Sequence, residues 1–217
     1  MAAVQRIDPS VIIHAAYAHD REAIVNATEH VVEAARHVGA DVVYISTDAV
    51  FSGDGIGRDE GSVPDPVWDY GRWKSEAERA ARELSATTAI VRLPLLVSFE
   101  PDDHVVREIR LSATQGNKTQ WFVGETRQPA LAHEVAMAVW KIVSLTTDER
   151  AGTWHLPGPE RLTRYEIALR VVDHLGLSRD LVEEIVAPEE VVRPCDTFFT
   201  DQRARAKIDW HPSPILR

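Results

Sequence analysis

Asp41-Val42-Val43-Tyr44-Ile45-Ser46-Thr47-Asp48, read together with Tyr70-Gly71-Arg72-Trp73-Lys74, decides the fold. The first stretch is apolar and β-branched over 41–45, as expected of a strand buried on both faces. It ends in hydroxyl residues. The second opens a helical pattern from 68 to about 84, with Ala77, Ala80, Ala81 and Leu84 on its inner side. Between them lies a long loop over 48–67 that holds Gly53, Gly55, Gly57, Gly61, Pro64 and Pro66. Long loops in compact folds are usually functional. A strand over 88–93, stopped by Pro94, completes a strand–helix–strand unit.

Upstream, Val11-Ile12-Ile13-His14-Ala15-Ala16 reads as another buried strand after Asp8-Pro9. Residues 21–38 carry apolar positions at Ile24, Val31, Val32, Ala35 and Val38, and Gly39 ends that helix. Two such units imply an open α/β sheet with right-handed crossovers. Downstream, a helix is expected over 102–113, a short strand over 121–123, and an apolar helix over 131–145 carrying Met137 and Trp140. A fourth core strand is expected over 153–156. Thr163-Arg-Tyr-Glu166 is a capping box opening a helix to about 175, with Gly176 as its stop. Ser178 caps one more short helix, and 188–217 reads as Pro-punctuated and irregular.

Bulk properties narrow the function. The chain has 217 residues, enough for one core plus a small lobe. The net charge of −10 argues against nucleic-acid binding, which needs clustered Lys and Arg. No apolar run approaches the roughly 18 residues that span a bilayer. The single cysteine, Cys195, excludes an intrachain disulfide. No long apolar leader stands at the N-terminus, so the expected location is the cytoplasm. His30 and His37 are two helical turns apart, and no His-Glu-x-x-His or cysteine pair occurs, so no metal site is expected.

The chemistry follows from spacing. Tyr70 and Lys74 lie one helical turn apart on one face. A free tyrosine has a pKa of about 10, too high to exchange protons readily near neutrality. A neighbouring cation favours the phenolate. A strand-end hydroxyl such as Thr47 can share the same substrate oxygen, although it can equally satisfy a backbone group. Such a trio protonates or deprotonates an oxygen while a hydride moves at the adjacent carbon.

Residues 7–210 resemble an extended short-chain dehydrogenase/reductase, most closely the dTDP-4-dehydrorhamnose reductase branch. The match is carried by Val11-Ile-Ile-His-Ala-Ala-Tyr17, Asn26, Ile45-Ser-Thr-Asp-Ala-Val-Phe51 and Tyr70-Gly-Arg-Trp-Lys74 with Glu78. Weaker echoes are Gln128-Pro129, Gly152-Thr-Trp-His155 and Arg193-Pro194. The resemblance implies a truncated Rossmann-type parallel sheet with helices on both faces and a small C-terminal substrate lobe. It assigns 1–98 and 131–157 to a partial NAD(P)-binding core, and 99–130 and 158–217 to the lobe. It implies NADP or NAD as cofactor and reduction of a nucleotide-linked 4-keto sugar, with Thr47, Tyr70 and Lys74 catalytic. Ala15, Ala16, Tyr17 and Ser46, with Tyr70 and Lys74, would contact the cofactor. Thr47, Asp48, Val50 and Phe51 would contact the sugar. A homodimer is among the expectations, and the sequence does not fix the oligomeric state.

Two departures qualify the resemblance. The family opens with a strand, a glycine-rich turn and a helix that seat the pyrophosphate. Roughly 55 residues of that pattern have no counterpart before Asp8-Pro9. Gly53-Asp-Gly-Ile-Gly57 follows the Thr47 strand and precedes no helix, so it is not read as a dinucleotide fingerprint. A longer working protein, a decayed remnant or a partner chain supplying that half would each account for this, and the first is favoured. The 11–16 strand is then expected at a bare sheet edge. After Arg92, Leu93-Pro94-Leu95-Leu96 stands where relatives often place an aromatic residue, which leaves the sugar open. The alternative function is that of a non-catalytic subunit resembling the regulatory subunit of methionine adenosyltransferase, which shares this fold. A non-functional fragment is a third reading.

Overall fold

A computed structural model describes residues 2–16, 18–188 and 190–216. The first elements are α1 (Ala2–Ile7), β1 (Val11–His14), α2 (Ala27–Val38), β2 (Asp41–Thr47) and α3 (Asp69–Leu84). They continue with β3 (Ala89–Leu93), β4 (Leu96–Val97), α4 (His104–Gln115), β5 (Thr119–Phe122), β6 (Thr126–Arg127) and β7 (Ala130–Leu131). The last are α5 (Ala132–Val143), α6 (Thr147–Arg150), β8 (Gly152–His155), β9 (Leu162–Thr163), α7 (Arg164–His174), β10 (Val182–Ile185) and α8 (Gln202–Ile208). A π-helical turn, Glu22–Asn26, leads into α2.

The central sheet is parallel, with strand order β1-β2-β3-β8. Helices cover both faces, as a parallel sheet requires. On one face, α2 and α3 bury Val32, Ala35, Ala77 and Ala81 against Val42, Tyr44 and Ile90. On the other, α5 and α8 bury Val135, Val139, Ile142, Ala204 and Ile208 against Val43, Val91 and Trp154. A separate apolar cluster joins Val105, Val106 and Ile109 of α4 to Ile167, Val171 and Val172 of α7, with Trp121 and Val182 from the β5–β10 pair.

The helix of the 163–166 capping box forms as read. Thr163 Oγ1 accepts from Glu166 N at 3.1 Å, and Thr163 N donates to Glu166 Oε2 at 2.7 Å. Gly176 follows the helix at φ 65°.

Two expectations change, and one helix shows which of its faces is buried. The strand expected over 11–16 is shorter, and only His14 is buried in it. It stands at the end of the sheet, as expected, and Ile13 is 41% exposed. Met137 and Trp140 of α5 point outward, at 59% and 65% exposure, because the buried stripe of that helix runs through Val135, Ala138, Val139 and Ile142. The tail is not irregular throughout. It contains α8, which packs with Trp210 into the sheet core although it falls within the stretch expected to belong to the lobe.

Candidate active site

The C-terminal ends of β1, β2 and β3 open onto a cavity of about 790 Å³. Ligands in open α/β sheets bind at this end of the strands. Ala15, Ser46, Thr47, Asp48, Tyr70 and Lys74 all line it. Ala16 is exposed and is not among the lining residues, and Tyr17 lies outside the described residues.

Local geometry explains each position. Thr47 ends β2 in an extended conformation and caps the short 3-10 turn Asp48–Val50, its Oγ1 accepting from Ala49 N at 3.2 Å. The same hydroxyl donates to Asp48 Oδ1 at 3.1 Å. Asp48 Oδ2 accepts from Thr197 Oγ1 at 2.6 Å, so the buried carboxylate fastens the C-terminal tail to the strand end. The turn points Val50 and Phe51 inward. They are 0% and 1% exposed, cluster with Phe199, and line no part of the cavity. Their expected contact with a sugar is therefore corrected. A 3-10 turn reverses the chain within three residues, and the apolar side chains follow the core rather than the opening.

Tyr70 sits in the first turn of α3, edge-on to Trp68 with ring centroids 5.3 Å apart. The first turn of α3 packs against the Ala49 carbonyl only because residue 71 is glycine. A Cβ there would lie 2.1 Å from that oxygen. Lys74 follows one turn later and is buried. Its Nζ donates to Ile45 O at 2.8 Å and lies 4.7 Å from the centre of the Tyr44 ring. Burial pulls its pKa down to about 8, against the upward pull of Glu78. Burial pushes the Tyr44 phenol well above its ordinary value. His14, facing Lys74 from β1, is lowered by burial and by that cation. Its Nε2 bonds Thr28 Oγ1 at 3.1 Å, while Thr28 Oγ1 donates to Ile24 O at 2.6 Å. The hydroxyl proton is thereby committed, so His14 Nε2 carries the hydrogen.

The opposite wall of the cavity comes from residues to which the sequence reading gave no role in the site. Glu125, Arg127, Arg164, Arg193, His104 and Trp140 line it. Arg127 is spent on the chain itself. It donates to Thr126 O at 2.8 Å, Cys195 O at 3.3 Å, Pro194 O at 2.8 Å and Glu125 Oε2 at 3.3 Å. Arg164 lies over Trp121 and donates to His104 Nε2 at 3.2 Å, which holds that imidazole neutral at Nε2. Burial, then the Arg164 charge, lowers the His104 pKa. Arg193 spans the Trp68 and Phe122 rings at 5.7 and 5.9 Å and pairs with Glu125 at 3.8 Å. Arg193 stands in the weak echo Arg193-Pro194, but nothing local marks it as a cavity wall, and Gln128 and Pro129 do not line the cavity. Leu93, Pro94, Leu95 and Leu96 also line the cavity, so the stretch after Arg92 does face the ligand side.

Ala15, Tyr70 and Lys74 share the strand-end side of the cavity and are the residues that could hold one end of a dinucleotide. The 53–57 glycines cradle no phosphate. Gly53 packs on Pro194 and Cys195, Gly55 on Asp196, and Gly57 on Phe198. Among the described residues there is no group of three or more His, Cys, Asp or Glu placed to hold a metal ion, and no helix is long and apolar enough to cross a membrane.

Comparison with known proteins places this geometry. The profile of the RmlD substrate binding domain matches residues 1–213. The beta subunit of methionine adenosyltransferase 2 from Xenopus tropicalis is 29% identical over 196 residues, covering 81% of this chain and 58% of the relative. A probable low-salt glycan biosynthesis reductase of Haloferax volcanii is 25% identical over 149 residues, covering 66% of this chain and 49% of the relative. The chain thus spans about half the length of these curated relatives. Among solved structures, dTDP-4-dehydrorhamnose reductase from Bacillus anthracis, in complex with NADP, superposes with a TM-score of 0.84 at 24% identity. That alignment covers 94% of this chain and 76% of the other. A hypothetical dTDP-4-dehydrorhamnose reductase from Sulfolobus tokodaii gives a TM-score of 0.78 at 25% identity, covering 94% and 76%. With nearly its whole length under that profile, and a sheet and helix layout shared with these reductases, the chain belongs to the RmlD substrate binding domain family.

Proposed function

We propose that this chain carries the catalytic and substrate-binding part of an NAD(P)H-dependent reductase acting on a nucleotide-linked 4-keto sugar. The observation that carries the reading is the convergence of Thr47, Tyr70 and Lys74 on one cavity whose far wall presents Arg164 and Arg193. NADP or NAD, when bound, supplies the hydride. The chain's own residues handle the oxygen. Tyr70 donates its phenolic proton to the carbonyl oxygen as that oxygen gains charge. Lys74, one turn along the helix, favours the resulting phenolate. Thr47 exchanges its bond to Asp48 for one to the same oxygen. General acid catalysis of this kind is worth about 10²- to 10⁴-fold. Arg164 and Arg193 suit a diphosphate, because guanidinium groups pair with phosphate oxygens in planar, directed bonds. The core and lobe division at 1–98 with 131–157, and 99–130 with 158–217, belongs to this proposal except for α8 and Trp210, which pack on the sheet core; a homodimer belongs to it as well.

The test follows NADPH absorbance with a dTDP-4-keto sugar, using the chain as given and a version extended upstream in frame. Turnover that disappears in Tyr70→Phe is the expected result. An extended protein that binds NADPH but never oxidises it refutes the proposal.

A second reading is favoured by the curated relatives themselves, several of which are beta subunits of methionine adenosyltransferase 2. On that reading the chain is a non-catalytic regulatory subunit. It predicts stable co-purification with a methionine adenosyltransferase catalytic chain and no sugar turnover.

A further inference from the structure

We infer that Glu78 is a positioning residue for the Tyr70–Lys74 pair, fixing the height of α3 over the end of β2 and serving as the buried counter-charge of Lys74. The inference rests on the reductase reading for its purpose, though not for its test. Glu78 is 0% exposed and lies one turn beyond Lys74 on the sheet-facing side of α3. A buried carboxylate is tolerated only with partners. Ser46 Oγ donates to its Oε1 at 2.5 Å. Arg92 Nη2 donates to Oε2 at 2.8 Å and Arg92 Nε to Oε1 at 3.0 Å. Arg82 reaches Oε2 at 3.4 Å.

These contacts pin α3 to β2 at two adjacent residues. Lys74 holds the Ile45 carbonyl, and Glu78 holds the Ser46 side chain. Because side chains alternate across a strand, Ser46 faces α3 while Thr47 faces the other side. The two pins therefore set how far Tyr70 stands from Thr47. The network continues outward. Arg92 Nη1 donates to His155 Nε2 at 3.2 Å, and His155 Nδ1 donates to Thr200 O at 3.0 Å. That carries the register to the tail that also fastens Asp48.

A purely structural ion pair can often be exchanged for apolar residues without loss. Here the position has a second use. Lys74 is a buried cation faced by His14 from β1, Tyr44 from β2, and Tyr70 and Glu78 from its own helix. Of these only Glu78 is a carboxylate. Among the described residues no carboxylate comes within ion-pair distance of Nζ, so Glu78 acts through the low-dielectric interior.

The experiment observes Lys74 directly. The chain has four lysines, so a spectrum of ¹³Cε-labelled lysine is simple, and Lys74→Met assigns the resonance. In Glu78→Gln the Lys74 midpoint is expected to fall by one pH unit or more, at least about a tenfold rise in its proton dissociation constant. Glu78→Asp should return most of that change. Ser46→Ala, which keeps the charge, should leave the midpoint in place. If Glu78→Gln alone does not fold, the double variant Glu78→Gln/Arg92→Met removes both buried charges and should show a smaller fall, because loss of the Arg92 cation partly offsets loss of the anion. An unmoved Lys74 midpoint in the folded Glu78 variants overturns the inference. An upstream-extended protein that binds NADPH without oxidising it overturns the reductase reading instead, and leaves this titration readable.

Discussion

Gly71→Ala sets two effects of opposite sign against each other. Alanine in place of glycine inside a helix gains about 1 kcal/mol from propensity alone. On that ground the variant would be more stable. The packing says otherwise. A Cβ at residue 71 meets Ala49 O at 2.1 Å, the Pro66 Cβ at 2.9 Å and Trp68 Cδ1 at 3.1 Å. Ordinary contact begins near 3.4 Å, so α3 and the 48–50 turn must separate by about 1.3 Å. Overpacking of this kind typically costs about 1–3 kcal/mol. Backbone is the obstacle, and it yields less readily than a side chain, so the upper part of that range applies. The net expectation is a loss of about 1–2 kcal/mol, or roughly 3–6 °C in Tm for a chain of this size. The displacement also separates Tyr70 from Thr47, and a misplacement of about 1 Å can cost on the order of 10²-fold in rate. Thermal denaturation followed by circular dichroism reads the first effect, and NADPH turnover or cleft chemical shifts read the second. Gly116→Ala is the control. Its φ is 70° and nothing lies near the added Cβ, so it should lose about 1 kcal/mol through strain and leave the cleft alone. A Gly71→Ala protein that melts higher than its parent, with an unchanged cleft, refutes the packing argument.

Other expectations are simpler. Burial drops the His155 pKa to about 3, below its unfolded value of about 6.5, so the folded state binds fewer protons than the unfolded state between those limits. Stability should therefore fall as pH drops from about 6.5 toward 3, and His155→Gln should flatten that slope in urea titrations across the range. The Lys74 pKa is also depressed, to about 8 from 10.5, so its burial penalty is present at low pH and relieved as pH rises between those values. The relief amounts to about 3 kcal/mol, and Lys74→Met should remove this gain in stability between neutral and alkaline urea titrations. Thr163→Ala breaks both halves of the α7 capping box and should lower stability by about 1 kcal/mol, or roughly 2–4 °C in Tm, with no effect on ligand binding in the cavity.

The parts of the fold legible in the sequence are those governed by short-range periodicity. The β-branched run 41–45 and the alanine stripe of α3 each state one element and its buried face, and the structure follows both. Tyr70 and Lys74 were legible for the same reason, since their spacing is one helical turn. Val50 and Phe51 were misplaced because a 3-10 turn capped by Thr47 has no periodic signature, and a three-residue reversal turns apolar side chains from the cavity to the core. The outward placement of Met137 and Trp140 has a different origin. A helix with apolar residues on more than one face does not say which of them is inside, and the burial of Val135, Ala138, Val139 and Ile142 settles the matter in favour of the smaller side chains.

The far wall of the cavity was illegible for a deeper reason. Arg127, Arg164 and Arg193 are separated by dozens of residues and sit in a chain of net charge −10, where a single arginine carries no signal. What brings them together is backbone chemistry. Arg127 holds the carbonyls of Pro194 and Cys195, Asp196 N donates to Gly53 O and Gly55 N to Asp196 O, and Gln128 Oε1 accepts from Phe199 N at 2.9 Å. These bonds lay the tail across the loop that follows Thr47, and Asp48 closes the junction through Thr197. The proton-handling half of the cavity is thus built by a helix against a strand, and the cationic half by a strap drawn across both. A substitution in the strap, such as Thr197→Val, should loosen the Arg193 wall and the Asp48 turn together while leaving the Lys74–Ile45 contact unchanged.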